Sequence, residues 1–300
     1  MKKLRFYIFF TLIILPTFLV LSASCAGSSR PAPTHEKVVP QRIISLAPSI
    51  TEILFAISAG DRVVGDTMYC NYPPEAKTLP KIGEFARFNF EKILELHPDM
   101  VIATSDAPSD TIKYELNQYG IPLMVGGATT VEESIKAIRE IGRAVGAENE
   151  AEEVATLMQK RLEQLRERVK SAPKVKAVLV YGHEPLIIAG PGTFADDIIR
   201  LAGGINVAAD ARIRYPRYNM ERLVLEGPEV IVEAGHVGAN GNISRSEIEA
   251  FWNKWPSIPA VRNKRIAIVD QDIVSRPGPR IIDGLMAVAL ALHPNLKDEE

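Results

Sequence analysis

The chain has 300 residues, 46% of them hydrophobic, and a formal net charge of −2 at pH 7. A balance so close to neutral excludes proteins that bind nucleic acid through a strongly basic surface. The two cysteines, Cys25 and Cys70, are too few for the disulfide framework of a small secreted fold.

The first segment has the pattern of an export signal. Three basic residues precede the apolar residues 6–21, and small residues then lead to Cys25. A charged start, a short apolar stretch and a small-residue exit are typical of signal peptides. We therefore predict a signal peptide over 1–24 and lipidation at Cys25, although Ser22 stands where lipoprotein signals usually have leucine. Soluble export is the alternative. The Pro-, Ser- and Gly-rich residues 25–40 are predicted to form a flexible tether.

The next part of the chain alternates strands and helices. Apolar residues Ile43–Leu46 predict a strand, and a helix follows in which Ser49 and Glu52 have capping-box spacing. Further strands are predicted in "RVVGDT", "DMVIAT" and "GIPLMVGG", a turn in "NYPPEA" and a short helix in "NFEKILELHP". Continuous apolar strands that alternate with helices indicate a parallel sheet covered on both faces. This pattern predicts a first lobe over 41–128.

The middle of the chain is helical. Thr130 and Glu133 form a second capping-box pattern, and Asn149 with Glu152 opens a long segment that continues to Lys170. Apolar residues recur in it at helical spacing, and a helix of this length extends about 30 Å. We predict linker helices over 129–173.

The strand and helix pattern then restarts. The segment "NFEKILELHPDMVIAT" from Asn89 is nearly repeated by "NMERLVLEGPEVIVEA" from Asn219. Strands are predicted in "VKAVLVYGHEP", "EVIVEAGH" and "RIAIVD", and helices in "TFADDIIRLAGG" and "PRIIDGLMAVALALHP". We predict a second lobe over 174–294 and a charged tail over 295–300. The fold class is α/β, with two similar lobes built on parallel sheets and joined by a long backbone helix.

Two such lobes enclose a cleft. Ligands of open parallel sheets bind beyond the carboxyl ends of the strands, and clefts between lobes are preferred ligand sites. The residues that follow the predicted strands, with flanking loops, are aromatic and sparsely charged, which suits a bulky and partly apolar ligand. They are Ala47–Pro48, Asp66–Tyr69, Phe85, Thr104–Ser105, Tyr181–Glu184, Tyr215, Arg217, Gly235–His236 and Asp272–Arg276.

Several motifs resemble one known family. "RIISLAPSITEILFAI", "LPKIGEF", "FEKILELHPDMVI" and "RPGPRII" are similar to the helical-backbone (class III) periplasmic binding proteins that serve ABC importers. The turn from Tyr69 to Pro74 is similar to the cobalamin-binding branch of that family. The resemblance covers residues 42–293. It implies a monomeric exported protein, not an enzyme, that carries cobalamin or a related corrinoid as its transported ligand and has no resident cofactor.

The resemblance also implies roles for individual residues. Its aromatic ligand contacts fall on Tyr69, Phe85, Tyr181 and Tyr215, and Phe85 and Tyr215 stand where that branch has tryptophans. Two further aromatic positions of the pattern are occupied by Thr104 and Ile187, so the aromatic surface is smaller. The predicted ligand-binding residues are Pro48, Tyr69, Phe85, Tyr181, Ile187, Tyr215 and Arg276.

The repeated glutamates are implied to dock the protein on an importer. Glu91 and Glu221 occupy the same place in the two repeats, and the resemblance implies that they contact arginines of a two-fold symmetric permease dimer. A carboxylate in the first turn of a helix is also stabilised by the helix dipole. Helix stabilisation alone is therefore the alternative role.

Two other ligand classes stay open. His183 and His236 follow predicted strands and are candidate metal ligands, although the first lobe lacks an evident matching set. A ferric siderophore or haem, bound through arginines such as Arg214 and Arg217, is the main alternative ligand. The motifs of an activated serine or a phosphate-binding loop are missing from the sequence, which argues against an enzyme.

Overall fold

A computed structural model describes residues 39–84, 87–106, 109–235 and 244–298. The predicted signal peptide, Cys25 and the tether up to residue 38 lie outside these ranges, as do Phe85 and His236. Among the helices in these ranges, none has the length and apolar character needed to span a bilayer.

The strands in the described ranges are short. They are β1 (Ile43–Ser45), β2 (Val63–Gly65), β3 (Gly83–Glu84), β4 (Arg87–Phe88), β5 (Met100–Thr104), β6 (Leu123–Gly126), β7 (Val175–His183), β8 (Leu186–Ile188), β9 (Gly204–Asn206), β10 (Val230–Gly235) and β11 (Ile266–Asp270).

The helices vary more in length. They are α1 (Pro48–Ala56), α2 (Phe90–Glu95), α3 (Ser109–Gln118), α4 (Val131–Val145), α5 (Glu148–Val169), α6 (Phe194–Leu201), α7 (Met220–Glu226), α8 (Arg245–Trp252), α9 (Pro259–Arg262), α10 (Gln271–Ser275) and α11 (Ile281–Leu292), with 3₁₀ segments at Gly60–Arg62, Pro74–Thr78 and Pro294–Asp298.

Two parallel sheets form the framework. The first has the strand order β2-β1-β5-β6, and the second contains β9-β7-β10-β11 in the corresponding order. The strands β1, β5 and β10 are buried along nearly their whole length, which explains their continuous apolar sequence. The second sheet also has an antiparallel strand, β8, which pairs with the end of β7. The sequence patterns predict no strand at Leu186–Ile188, and three residues are too few to show the period of a strand.

The internal repeat is visible in individual hydrogen bonds. The carboxylate of Asp99, just before β5, accepts the backbone N–H groups of Gln41 and Arg42 at 2.7 and 2.9 Å. Glu229, just before β10, accepts the N–H of Lys176 at 2.9 Å. In both halves the acid that directly follows a proline, Pro98 or Pro228, therefore joins the start of one strand to the start of its neighbour.

The long helix begins without the predicted cap. Helix α5 starts at Glu148 after Ala147 and has 22 residues, or about 33 Å. Asn149 lies within its first turn, and Glu152 accepts two hydrogen bonds from the Arg139 guanidinium of α4 at 2.8 and 2.9 Å. The capping role predicted for Asn149 and Glu152 is therefore wrong, because Glu152 binds the neighbouring helix.

The other two predicted caps have different outcomes. At α1 the N-cap is Ala47, so Ser49 lies inside the helix and the predicted capping box is wrong. At α4 the Thr130 hydroxyl accepts the N–H of Glu133 at 3.1 Å, which confirms that half of the cap. The Glu133 carboxylate accepts hydrogen bonds from Thr129 instead, and these bonds lower the pKa of Glu133.

One apolar core connects the two sheets through the long helix. It contains β1 and β10 together with the buried faces of α1, α4, α5, α6 and α11. Smaller clusters cover the outer face of each sheet. The predicted tail over 295–300 starts within a 3₁₀ segment in which Leu296 packs on the core and its carbonyl accepts a hydrogen bond from Arg168. The end of the chain is thereby held against α5 as far as the structure describes it.

Candidate functional site

A cavity of about 150 Å³ lies between the two halves of the molecule. It is located where β1, β5 and β6 end, as expected for ligand sites of open parallel sheets. The first half supplies Ala47, Pro48, Ser49, Thr104, Ser105, Asp106, Gly127 and Ala128, and the second half supplies Phe194, Arg214, Tyr215, Ser275, Arg276 and Pro277.

The structure gathers part of the predicted ligand-binding set. Pro48, Tyr215 and Arg276 line the cavity, and the ring of Tyr181 packs edge-on against Tyr215 with centroids 5.6 Å apart. Burial raises the pKa of Tyr181, so its hydroxyl is a neutral group at physiological pH. Tyr215 thus lines one wall of the cavity, and the Tyr181 ring supports it edge-on.

The remaining predicted residues lie elsewhere. Tyr69 is about half exposed and contributes its carbonyl, which accepts a hydrogen bond from Arg276 at 3.2 Å. Ile187 lies in β8 and bridges to Arg217. Phe85 is outside the described residues. Sequence reasoning missed Asp106, Phe194 and the Gly127–Ala128 pair, although the predicted strand "GIPLMVGG" ends at Gly127.

Thr104 places an unsatisfied hydroxyl beside the cavity. The residue is 8% exposed at the end of β5, and its Oγ1 has no hydrogen-bond partner among the described residues. A buried polar atom without a partner costs about 1–3 kcal/mol. A ligand or water that reached this hydroxyl would recover that energy, which favours recognition of a polar substituent here.

A buried ion cluster joins the two halves behind the cavity, and we call it the clasp. Glu52 of α1 is 3% exposed and accepts hydrogen bonds from Arg280 at 2.6 and 2.8 Å and from Arg276 at 3.2 Å. Arg276 also pairs with Asp272 at 2.7 Å, and Asn71 donates to Asp272 at 2.9 Å. Helices α1 and α11, which flank the clasp, both pack on α5.

The clasp uses the arginine that was predicted to bind ligand. Besides Glu52 and Asp272, the Arg276 guanidinium donates to Asn71 Oδ1 at 2.6 Å and to the Tyr69 carbonyl. Both terminal nitrogens of Arg276 are thus engaged by protein acceptors, although its side chain lines the cavity.

A second, weaker contact crosses the cavity between exposed loops. Arg214 lies 3.7 Å from Asp106, and its Nε donates to the Gly192 carbonyl at 3.0 Å. Both partners of this ion pair are substantially exposed, with side-chain accessibilities of 44% and 67%. Solvent-exposed pairs of this kind contribute about 0–1 kcal/mol. The two halves are therefore held far more strongly at the clasp than at this outer pair.

Comparison with known proteins identifies the family. A protein-family model described as "Periplasmic binding protein" matches residues 43–273 of this chain. The chain belongs to the periplasmic binding protein family. The uncharacterised ABC transporter substrate-binding lipoprotein YvrC of Bacillus subtilis is 33% identical over 267 residues, which cover 86% of this chain and 82% of that protein. The vitamin B12-binding protein of Vibrio cholerae serotype O1 is 29% identical over 283 residues, covering 93% and 96%.

Solved structures agree with this assignment. The periplasmic vitamin B12 binding protein BtuF of Vibrio cholerae matches with a TM-score of 0.76 and 27% identity, covering 87% of this chain and 99% of that chain. The periplasmic haem-binding protein RhuT of Roseiflexus sp. RS-1 matches with a TM-score of 0.73 and 28% identity, covering 86% and 99%. The predicted fold class, two parallel-sheet lobes with a backbone helix, is confirmed.

In this periplasmic binding protein the two repeated glutamates occupy equivalent places. Glu91 and Glu221 are exposed in the first turns of α2 and α7. Each helix begins at an asparagine, Asn89 or Asn219, whose side chain accepts the backbone N–H three residues later at 3.1 or 3.0 Å. The matched caps hold both carboxylates in the same local geometry.

His183 is engaged in a different interaction. Its Nε2 lies 3.0 Å from the buried Glu233 carboxylate, and its ring stacks on Phe251 with centroids 4.0 Å apart. The indole N–H of Trp252 donates to the same carboxylate oxygen. Within the described residues, no cluster of three or more His, Cys, Asp or Glu side chains is arranged to hold a metal ion. The other candidate metal ligand, His236, lies outside the described residues.

Proposed function

We propose that this chain is an extracytoplasmic solute-binding protein that captures cobalamin or a related corrinoid and delivers it, as a monomer, to an ABC importer. The main support for the proposal is the cavity between the two sheets. The Tyr181–Tyr215 ring pair lies at one wall, and the unpaired Thr104 hydroxyl lies at another. A flat ring system with amide substituents needs both aromatic and polar contacts. The vitamin B12-binding relatives support the same ligand.

The cavity must widen to admit such a ligand. Its 150 Å³ is below the roughly 300–1,000 Å³ that ligand pockets usually provide. We propose that the cavity widens at its outer rim, where the Asp106–Arg214 contact is long and exposed, while the buried clasp stays closed and both rim side chains continue to face the ligand.

Titration of the full-length chain, purified in mild detergent, tests the ligand. Cyanocobalamin, haemin, a ferric siderophore and zinc chloride are compared by equilibrium dialysis. We expect saturable binding of cyanocobalamin with one site per chain. Binding of haemin alone would replace the proposal by the haem alternative, which the likeness to the Roseiflexus haem-binding protein supports. Binding of zinc alone would favour the metal alternative.

We further propose that Glu91 and Glu221 dock the protein on the permease dimer. Both glutamates are exposed and have matched helix caps, which suits binding to two equivalent sites on a symmetric partner. Reversal of both to lysine should leave cyanocobalamin affinity unchanged and abolish ligand uptake by vesicles that contain the importer. The matched control is Glu95→Lys, which changes an exposed acid on the same helix. Loss of ligand affinity in the double variant would contradict a docking role.

Cys25 is proposed as the lipidated residue that keeps the protein at the outer face of the cytoplasmic membrane. We separately propose that the chain is divided into two lobes, over 41–128 and 174–294, which are connected by linker helices over 129–173. Cys25→Ser should move the protein from the detergent phase to the aqueous phase in Triton X-114 partition. Partition that is unchanged by the substitution would contradict lipid attachment at this cysteine.

A further inference from the structure

The charged side chains around the cavity oppose one another in two separate groups, the clasp and the outer Asp106–Arg214 pair. Among the described residues that line it, Asp106 is the acid and Arg214 and Arg276 are the cations. In the clasp, Arg276 and Arg280 face the carboxylates of Glu52 and Asp272, and Asp270 also acts on Arg280, so both positive charges are fully opposed. Arg276 consequently brings no surplus charge to a ligand.

The remaining cation is Arg214, and its charge is opposed by Asp106. The two side chains lie 3.7 Å apart at the rim of the cavity, one from each half of the molecule. Without Asp106, Arg214 would be the single uncompensated charge among the described lining residues. The lining is otherwise rich in hydroxyl groups, those of Ser49, Thr104 and Ser275 among them.

The two ligand classes named by the relatives differ in charge. The corrin ring of cobalamin carries neutral carboxamides, each of which both donates and accepts hydrogen bonds. Haem carries two propionate carboxylates, which need cations or several N–H donors when they leave water. A charge-balanced, hydroxyl-rich cavity suits the carboxamides, and burial of a dianion in it would leave at least one carboxylate uncompensated.

We propose that Asp106 is a specificity-determining residue of the cleft, because it neutralises Arg214 and thereby selects an amide-bearing corrinoid over a dianionic tetrapyrrole. This inference rests on the proposed function, since it takes corrinoid as the ligand. Discrimination here comes mainly from an unfavourable element, the acid that repels a carboxylate, placed beside an arginine that would otherwise attract it.

The variant Asp106→Asn tests the inference in the full-length protein. Dissociation constants for cyanocobalamin and haemin are measured by equilibrium dialysis for the wild type and the variant. We expect the haemin affinity to rise about tenfold, because the negative charge of Asp106 is removed and the positive charge of Arg214 becomes available to a propionate. The cyanocobalamin affinity should change by less than about threefold, since its amides are neutral and its single phosphodiester anion is balanced by the positive charge of its cobalt centre.

Two further variants make the outcome specific. Asp110→Asn removes an exposed acid on α3 outside the lining and should leave both affinities unchanged. The double variant Asp106→Asn/Arg214→Gln should return the haemin affinity to the wild-type value, because the freed cation is gone. Circular dichroism and the urea midpoint confirm that each variant is folded.

The failures of the two proposals are distinguishable. If cyanocobalamin binds to all variants but haemin affinity does not rise in Asp106→Asn, the role of Asp106 is refuted and the proposed function stands. If the wild-type protein binds haemin and no cyanocobalamin, the proposed function and the selection for corrinoid are both refuted.

Discussion

The clasp allows a quantitative prediction for Glu52→Gln. Glu52 is 3% exposed and its two oxygens accept three hydrogen bonds from two guanidinium groups. Removal of one partner from a buried ion pair costs about 3–5 kcal/mol, because the opposite charge stays buried without compensation. Here the loss is reduced, since Arg276 keeps Asp272 and Arg280 lies over the ring of Tyr72 at 4.0 Å.

We therefore expect Glu52→Gln to lower the free energy of unfolding by about 3 kcal/mol. For a chain of this size each kcal/mol shifts the thermal midpoint by about 2–3 °C, which gives a decrease of about 6–9 °C. Calorimetry and urea unfolding measure both quantities. The matched control is Glu75→Gln, which neutralises an exposed glutamate in the 3₁₀ segment Pro74–Thr78. Thermal midpoints of the two variants within 1 °C of each other would refute the reasoning.

Two further predictions concern a buried acid and the matched helix caps. Asp66 is fully buried and binds Lys81 at 2.7 Å, and burial raises its pKa to about 6. The native state therefore holds this proton up to a higher pH than the unfolded chain, and stability from Asp66 falls as pH rises from about 4 to 6. Relative to Asp66→Asn, the wild type should lose about 2.5 kcal/mol of unfolding free energy between pH 4 and 7 in urea titrations, and a constant difference would contradict the raised pKa. Asn89→Ala and Asn219→Ala should each lower the unfolding free energy by about 1 kcal/mol and add in the double variant, while aspartate at either position should retain stability. Clearly unequal losses would contradict the equivalence of the two caps.

Much of the framework could be predicted from local sequence. Both faces of each sheet are covered, so the side chains of strands such as β5 and β10 are buried on either side. These strands are therefore almost continuously apolar in sequence. The asparagine before α2 or α7, and the acid before β5 or β10, act on backbone groups within the same repeat. Each asparagine acts within one helical turn, and each acid reaches the start of a strand 53 to 58 residues away inside its own repeat, so a repeated sequence predicts a repeated structure.

Long-range electrostatics could not be predicted in the same way. Ser49 and Glu52 have the spacing of a cap, yet Glu52 binds Arg280, which lies 228 residues further along the chain. Spacing along a helix describes only the neighbours that a carboxylate has before folding. Once Glu52 is buried between the halves of the molecule, the desolvation of its charge makes an arginine partner necessary, and only the tertiary structure decides which arginine that is. Burial likewise explains why Arg276 belongs to the clasp. The exposed contact of Arg214 with Asp106 has a different origin, since the two residues come from segments that meet only when the two sheets face each other.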